Sequence, residues 1–281
     1  MRRAKIIVDK ESYSPGEIVR GDVLIECDKP FTVDRVSITL VCTESATVIV
    51  GNGKNSRRCT NSRNLVELSQ DLMGPGRIES GETCLPFELK IPPDCPGLFS
   101  ESRCSVEHWL RARLVIPRAI DSEAALRLAV PWELPHLSSS EISMPILEDG
   151  AEVMTVHLES DVIAPSSTLT VRFMLLREMK MRGVRFELRH ILVLRACGHT
   201  DSFHEVKSVA RLPRDEIHYQ SWQEVTLQVP GNLAPVLDLD MIKSSYQLAA
   251  IIDIPLAFDK KLLLPLRLGS GRSSSDNRDW F

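Results

Sequence analysis

Period-two alternation of apolar and polar residues runs through nearly the whole chain. Val19, Gly21, Val23 and Ile25 take one parity, while Arg20, Asp22, Leu24 and Glu26 take the other. Val36, Ile38, Leu40 and Cys42 alternate in the same way, as do Phe87, Leu89 and Ile91. A longer run follows: Val106, His108, Leu110, Ala112, Leu114 and Ile116. The second half contributes Leu169, Val171, Phe173 and Leu175, then Val184, Phe186 and Leu188. Successive side chains of a strand point to opposite faces, so each run predicts a strand with one face on a core. Turn clusters such as "CDKP", "GNGKNS", "MGPG", "IPPDCPG" and "VPGN" separate the runs. One segment, "NSRNLVELSQDLM", reads either as a helix through Leu65, Leu68 and Leu72 or as a strand over 65–68. The chain as a whole is expected to be all-β.

The pattern also repeats. At an offset of 138, Phe87 falls on Val225, Leu89 on Leu227, Ile91 on Val229 and Pro92 on Pro230. Further along, His108 falls on Tyr246, Leu110 on Leu248, Ile116 on Ile254 and Pro117 on Pro255. Upstream, Val36, Ile38 and Leu40 match Val184, Phe186 and Leu188 at an offset of 148. The Pro-led turn that opens "SYSPGEIVRGDVLIE" returns in "VIAPSSTLTVRFML". Two immunoglobulin-like antiparallel β-sandwich lobes are expected, and a 281-residue chain accommodates both. Their expected bounds are 1–138 and 150–268, with a Pro- and Ser-containing linker at 139–149 and a flexible tail at 269–281.

Composition narrows the function. A net charge of −4 leaves no global basic footprint for nucleic acid. The seven cysteines form no C-x-x-C pair and are odd in number. No secretory leader and no N-x-[ST] acceptor is evident, so free thiols in a reducing compartment are expected. "LAAII" is far short of the ~20 apolar residues that span a bilayer.

Enzyme chemistry finds little support. "CGHTDSFH" brings Cys197, His199 and His204 close in sequence, but no second ligand pair follows, so a polar hairpin loop is the expectation and no metal site is assigned. There is no G-x-S-x-G and no phosphate loop. His108 shares the apolar parity of its strand and is expected to be a satisfied core histidine. No catalytic residue and no cofactor are assigned.

Positive charge does cluster locally. Lys54, Arg57, Arg58 and Arg63 lie in "GNGKNSRRCTNSR", read as a long loop and a candidate contact for anionic lipid or an acidic tail. Arg177, Lys180 and Arg182 in "REMKMRG" make a second cluster. Trp109, Arg111 and Arg113 occupy the solvent parity of "VEHWLRARLVI" and are candidates to line a peptide groove.

Several stretches resemble the arrestin-domain family, closer to its α-arrestin branch. They are "YSPGEIVRGDVLIE", "ESGETCLPFELKIPPDCPGLF", "VEHWLRARLVIP", "LQVPGNLAPVL…SSYQLAAIIDIP" and "LLLPLRLG", spanning about residues 5–269. The resemblance implies a non-enzymatic adaptor, cytoplasmic and peripherally associated with the plasma membrane or endosomes. Such a protein binds cytoplasmic tails of membrane proteins and influences their endocytosis or sorting. Two features depart from the family. No lysine pair precedes "AKIIVDK", and the one Pro-Pro, Pro92–Pro93, continues as Asp94–Cys95 rather than P-P-x-Y. Recruitment of ubiquitin ligases is therefore expected to be indirect at most. Two alternatives stand: an arrestin-fold subunit of a retromer-type coat, and a small-ligand-binding β-sandwich.

Overall fold

The computed structural model describes residues 2–51 and 53–271. Residues 272–281, most of the expected tail, lie outside the described residues, as does the side chain of Lys54. The chain divides into two compact units, Met1–Glu133 with Leu194–Thr200, and Leu134–Val193 with Asp201–Phe281. Among the described residues the regular structure is strand, apart from two short 3-10 turns at Gly53–Asn55 and Arg214–Glu216.

In the first unit β1 (Arg2–Val8), β2 (Ile18–Cys27), β3 (Phe31–Val33), β4 (Arg35–Val50) and β5 (Arg57–Met73) come first. They are followed by β6 (Gly76–Ile78), β7 (Gly81–Lys90), β8 (Phe99–Glu101), β9 (Cys104–Val115) and β10 (Ser122–Leu128). One sheet has the order β1-β2-β7 and the other β10-β9-β4-β5, with β8 also on β9 and a separate β3-β6 pair. The predicted parities hold: Val19, Val23 and Ile25 of β2 and Val106, Leu110, Ala112 and Leu114 of β9 are all buried. Burying these faces is the main stabilising term for a sandwich of this kind.

The ambiguous segment is resolved as β5, one continuous strand against β4. Its register steps from Cys42↔Val66 to Thr43↔Asn64 and from Val36↔Met73 to Ser37↔Asp71. Leu65 and Leu72 are therefore the extra residues of two β-bulges. Each bulge shifts the alternation by one, and the two together counterfeit the helical spacing of Leu65, Leu68 and Leu72.

The turn at Pro15–Gly16 is tied down on every side. Gly16 adopts φ +88°, a region that favours glycine. Its N–H donates to the Ile91 carbonyl at 3.0 Å, and the Ile91 N–H donates to the Glu17 carbonyl at 2.8 Å. Tyr13 is buried beneath the turn, its hydroxyl donating to Asp9 Oδ1 at 2.6 Å. Burial and the Asp9 carboxylate push the Tyr13 phenol up to about 12.

The second unit contains β11 (His136–Leu137), β12 (Ile142–Glu148), β13 (Ala151–Leu158), β14 (Val162–Ile163) and β15 (Thr168–Leu175). Next are β16 (Gly183–Ala196), β17 (His199–Pro213), β18 (Gln223–Gln228), β19 (Leu237–Asp238), β20 (Ile242–Asp253), β21 (Lys260–Leu268) and β22 (Ser270–Gly271). Its sheets have the orders β12-β13-β15-β18 and β14-β21-β20-β16-β17, with β19 on β20 and a β11-β22 pair. The repeat extends to the opening turn. Ser166 takes φ +60° where the first unit has Gly16, and the Val229 N–H donates to the Ser167 carbonyl as that of Ile91 does to Glu17.

Three expectations are corrected. The proposed linker 139–149 holds β12, whose Pro145 is tolerated because β12 is an edge strand. Ser270 and Gly271, assigned to the tail, pair with His136 and Leu137. Cys59 and Cys197, expected as free thiols, form a disulfide with a Cα–Cα separation of 6.3 Å. Cys197 sits at the left-handed turn between β16 and β17, at the tip that groups with the first unit. Cys27, Cys42, Cys84, Cys95 and Cys104 are free.

Candidate partner-binding surfaces

The β4–β5 hairpin carries the first basic cluster. Residues 57–63, expected as loop, are the start of β5, with Arg57 opposite Val50 and Arg58 opposite Ile49. Both arginines are exposed, and no ion pair engages either among the described residues. Arg63 is differently placed. It lies opposite Glu44 in the register, and its Nη2 reaches the fully buried Glu44 carboxylate at 2.8 Å. That guanidinium serves the fold, which leaves Arg57 and Arg58 as the described cations of the hairpin available to a partner.

Trp109, Arg111 and Arg113 do share the outer face of β9, as their parity predicts. Arg113 forks onto Asp121 at 3.0 and 2.7 Å and stands 3.8 Å from Glu123. Its guanidinium holds the Asp121 carboxyl below the usual range, so the pair is ionised. The Trp109 indole N–H donates to Glu107 at 3.2 Å, and Glu107 also pairs with Arg127 at 3.1 Å. Acidic residues therefore offset most of this face, and Arg111 is its one cation without an ion pair among the described residues.

In the second unit Arg177, Lys180 and Arg182 lie on the segment joining β15 to β16. The Arg182 N–H donates to the carbonyl of Asp253 at 2.8 Å, which sets this segment beside the end of β20. Arg177 and Lys260 each reach Glu148 at 2.7 Å, leaving Lys180 and Arg182 without ion pairs among the described residues. Beyond Asp253 the chain turns through Pro255–Asp259 into β21. At that tip Leu256 and Phe258 are each 98% exposed. A Leu–Phe pair held in water beside lysine and arginine is a recognisable contact feature. The sequence reading passed over it, although "IPLAFDKK" displays it openly: an apolar pair inside a turn rather than inside an alternating run.

Cys197 is consumed by the disulfide, and His199 and His204 are exposed on β17. Two depressions on the first unit are open to solvent, one lined by Arg3, Glu26, Asp28 and Glu82 and the other by Ile7, Arg20, Phe87 and Glu88. Among the described residues no helix is long and apolar enough to cross a membrane.

Residues 4–131 match the family described as arrestin (or S-antigen), N-terminal domain. Over 95% of its length the chain is 21% identical to "Arrestin domain-containing protein A" of Dictyostelium discoideum. It spans about half of that curated relative, 51%. Residues 4–131 are thus similar to an arrestin N-terminal domain, and nearly the whole chain, two units of mostly antiparallel sheet, is similar to an arrestin domain-containing protein.

Proposed function

We propose that the protein is an adaptor of the α-arrestin kind, which binds cytoplasmic segments of membrane proteins while touching the anionic membrane surface, and so influences their endocytosis or sorting. The observation that carries the membrane part is the tip of the second unit, where Leu256 and Phe258 stand 98% exposed. Fully burying a side chain of this size is worth about 1.5–3 kcal/mol. A nearby lysine or arginine adds about 1 kcal/mol at an acidic bilayer. Lys180, Arg182 and Lys261 are exposed near the tip in sequence or structure. These terms sum to a weak, reversible attachment suited to an adaptor that must leave the membrane with its cargo. Arg57 and Arg58 provide a separate basic surface for acidic segments of the cargo.

Co-sedimentation of the full chain with vesicles tests this. Vesicles containing phosphatidylserine should retain the protein, and phosphatidylcholine vesicles should retain much less. Leu256→Ser with Phe258→Ser should lower binding by up to about 3–6 kcal/mol, the full-burial value for two such side chains, without altering the fold. Equal binding of parent and variant would remove the tip from the account.

A further inference from the structure

We propose that Cys42, Cys95 and His108 bind one thiophilic metal ion, zinc or copper(I), in the core of the first unit. The three residues come from distant parts of the chain, and the fold brings them together. Cys42 of β4 and His108 of β9 are direct partners in the antiparallel register, and both point inward with no exposure. Cys95 comes from the loop after β7, and its sulfur stands 3.3 Å from His108 Nε2. All three ligand atoms lie within 4.8 Å of one another. Ligands on a common ion, at metal–sulfur distances of about 2.3 Å and metal–nitrogen distances of about 2.0–2.1 Å, stand roughly 3.5–4 Å apart. A small contraction thus brings the observed group to a coordinating geometry. Thiolate and imidazole ligands together select soft or borderline ions over calcium or magnesium.

The loop that carries Cys95 is held on both sides. The Cys95 N–H donates to the Pro92 carbonyl at 3.1 Å, and the Leu98 N–H donates to the Val130 carbonyl at 2.7 Å. At Gly97 a Cβ would come within 2.6 Å of the Trp132 backbone, so the chain passes too close there for any side chain. The third ligand is therefore fixed before an ion arrives.

The second unit shows that the fold does not itself require these residues. At the positions matching Cys42 and His108 it has His190 and Tyr246, stacked with ring centres 5.0 Å apart. There His190 Nε2 is 2.8 Å from Ser244 Oγ, and the Tyr246 hydroxyl donates to the Ala234 carbonyl at 2.9 Å. The position matching Cys95 is Leu233. In the first unit, by contrast, His108 Nδ1 is buried without a hydrogen-bond partner among the described residues, and the ring's polar contact is with the thiol. Binding an ion forms two metal–sulfur bonds and one metal–nitrogen bond. It displaces water from the ion and releases up to two thiol protons to solvent, while Nδ1 keeps the imidazole hydrogen.

The test uses the full chain, stripped of metal and held reduced without oxygen. Titration with Co2+ should give one equivalent of a sulfur-to-cobalt charge-transfer band. Zn2+ should then displace the cobalt, and Cu(I) delivered from a chromophoric chelator should compete for the same single site. The relative strength of the two separates zinc from copper. Cys95→Leu and His108→Tyr, each borrowed from the second unit, should lose the band while keeping native hydrogen-exchange protection. Cys104→Ser, a buried free thiol elsewhere on β9, should retain it. The proposal is overturned if no band forms or if the band survives both substitutions.

Discussion

Replacing Gly21 by alanine should detach the first strand of the first unit. Gly21 pairs with Val8 on one side and Phe87 on the other. A Cβ built there lies 2.1 Å from the Ile7 carbonyl oxygen and 2.9 Å from Phe87 Cζ. The phenyl ring has some freedom to turn aside, but the carbonyl belongs to the backbone of β1 and moves only with the strand. Restoring ordinary contact takes a displacement of about 1 Å. That displacement breaks about two ladder hydrogen bonds, at roughly 1 kcal/mol each. Loosening the buried Ile6 beside them brings the cost to about 2–4 kcal/mol. Gly16→Ala is the informative comparison, because a Cβ there meets Pro93 no closer than 3.9 Å. Its penalty is the left-handed backbone alone, about 1–2 kcal/mol. Hydrogen exchange followed by mass spectrometry reads both variants, with the amides of β1 and β2 as reporters and those of β20 as an internal standard. Gly21→Ala should speed exchange in β1 by roughly 30- to 1,000-fold, the range that follows from a tenfold change per ~1.4 kcal/mol. Protection of β1 equal to the parent's would refute the reasoning that close backbone approach reserves this position for glycine.

Arg63→Ala should destabilise the first unit by about 1–3 kcal/mol in urea melts, because it withdraws the guanidinium from the buried Glu44 carboxylate. Adding Glu44→Gln should recover part of the loss. Burial holds the His190 imidazole below its ordinary range, so the folded chain stays neutral there while the unfolded chain takes a proton near 6.5. Stability of the second unit should therefore fall as pH drops below about 6.5, levelling off below the folded-state value, and His190→Gln should flatten this part of the profile. Replacing Lys54, Arg57 and Arg58 by serine should weaken binding to acidic vesicles or tails by up to about 3 kcal/mol. The residual binding should depend less on salt, and equal binding at low salt would mark the hairpin as merely solvated.

Much of the fold was legible because a half-buried antiparallel strand writes its faces directly into alternate residues. β2, β9, β15 and the first part of β16 follow their predicted parity. Legibility failed where another constraint overrode alternation. The bulges at Leu65 and Leu72 disguised β5, and Pro145 at an edge disguised β12. The Cys59–Cys197 bond joins residues 138 apart, and no local pattern reports such a pairing. The basic clusters were visible as composition, but which of their members are committed to the fold was not. Arg63 and Arg113 are claimed by Glu44 and Asp121 only because the strand register and the turn after β9 bring those carboxylates alongside. The Cys42–Cys95–His108 group was hidden for the same reason, since its members become neighbours only through the β4–β9 pairing and the return of the loop after β7.

The adaptor reading is tested most directly by capture from native membranes. The full chain, carrying a photo-crosslinker beside Arg58, would be compared with the Leu256→Ser, Phe258→Ser variant under the same conditions. The account predicts crosslinks to cytoplasmic segments of transmembrane proteins in the parent, and their marked reduction in the variant, whose membrane contact is weakened. Crosslinks confined to a stoichiometric soluble complex, unchanged by the variant, would contradict the account and favour a coat subunit.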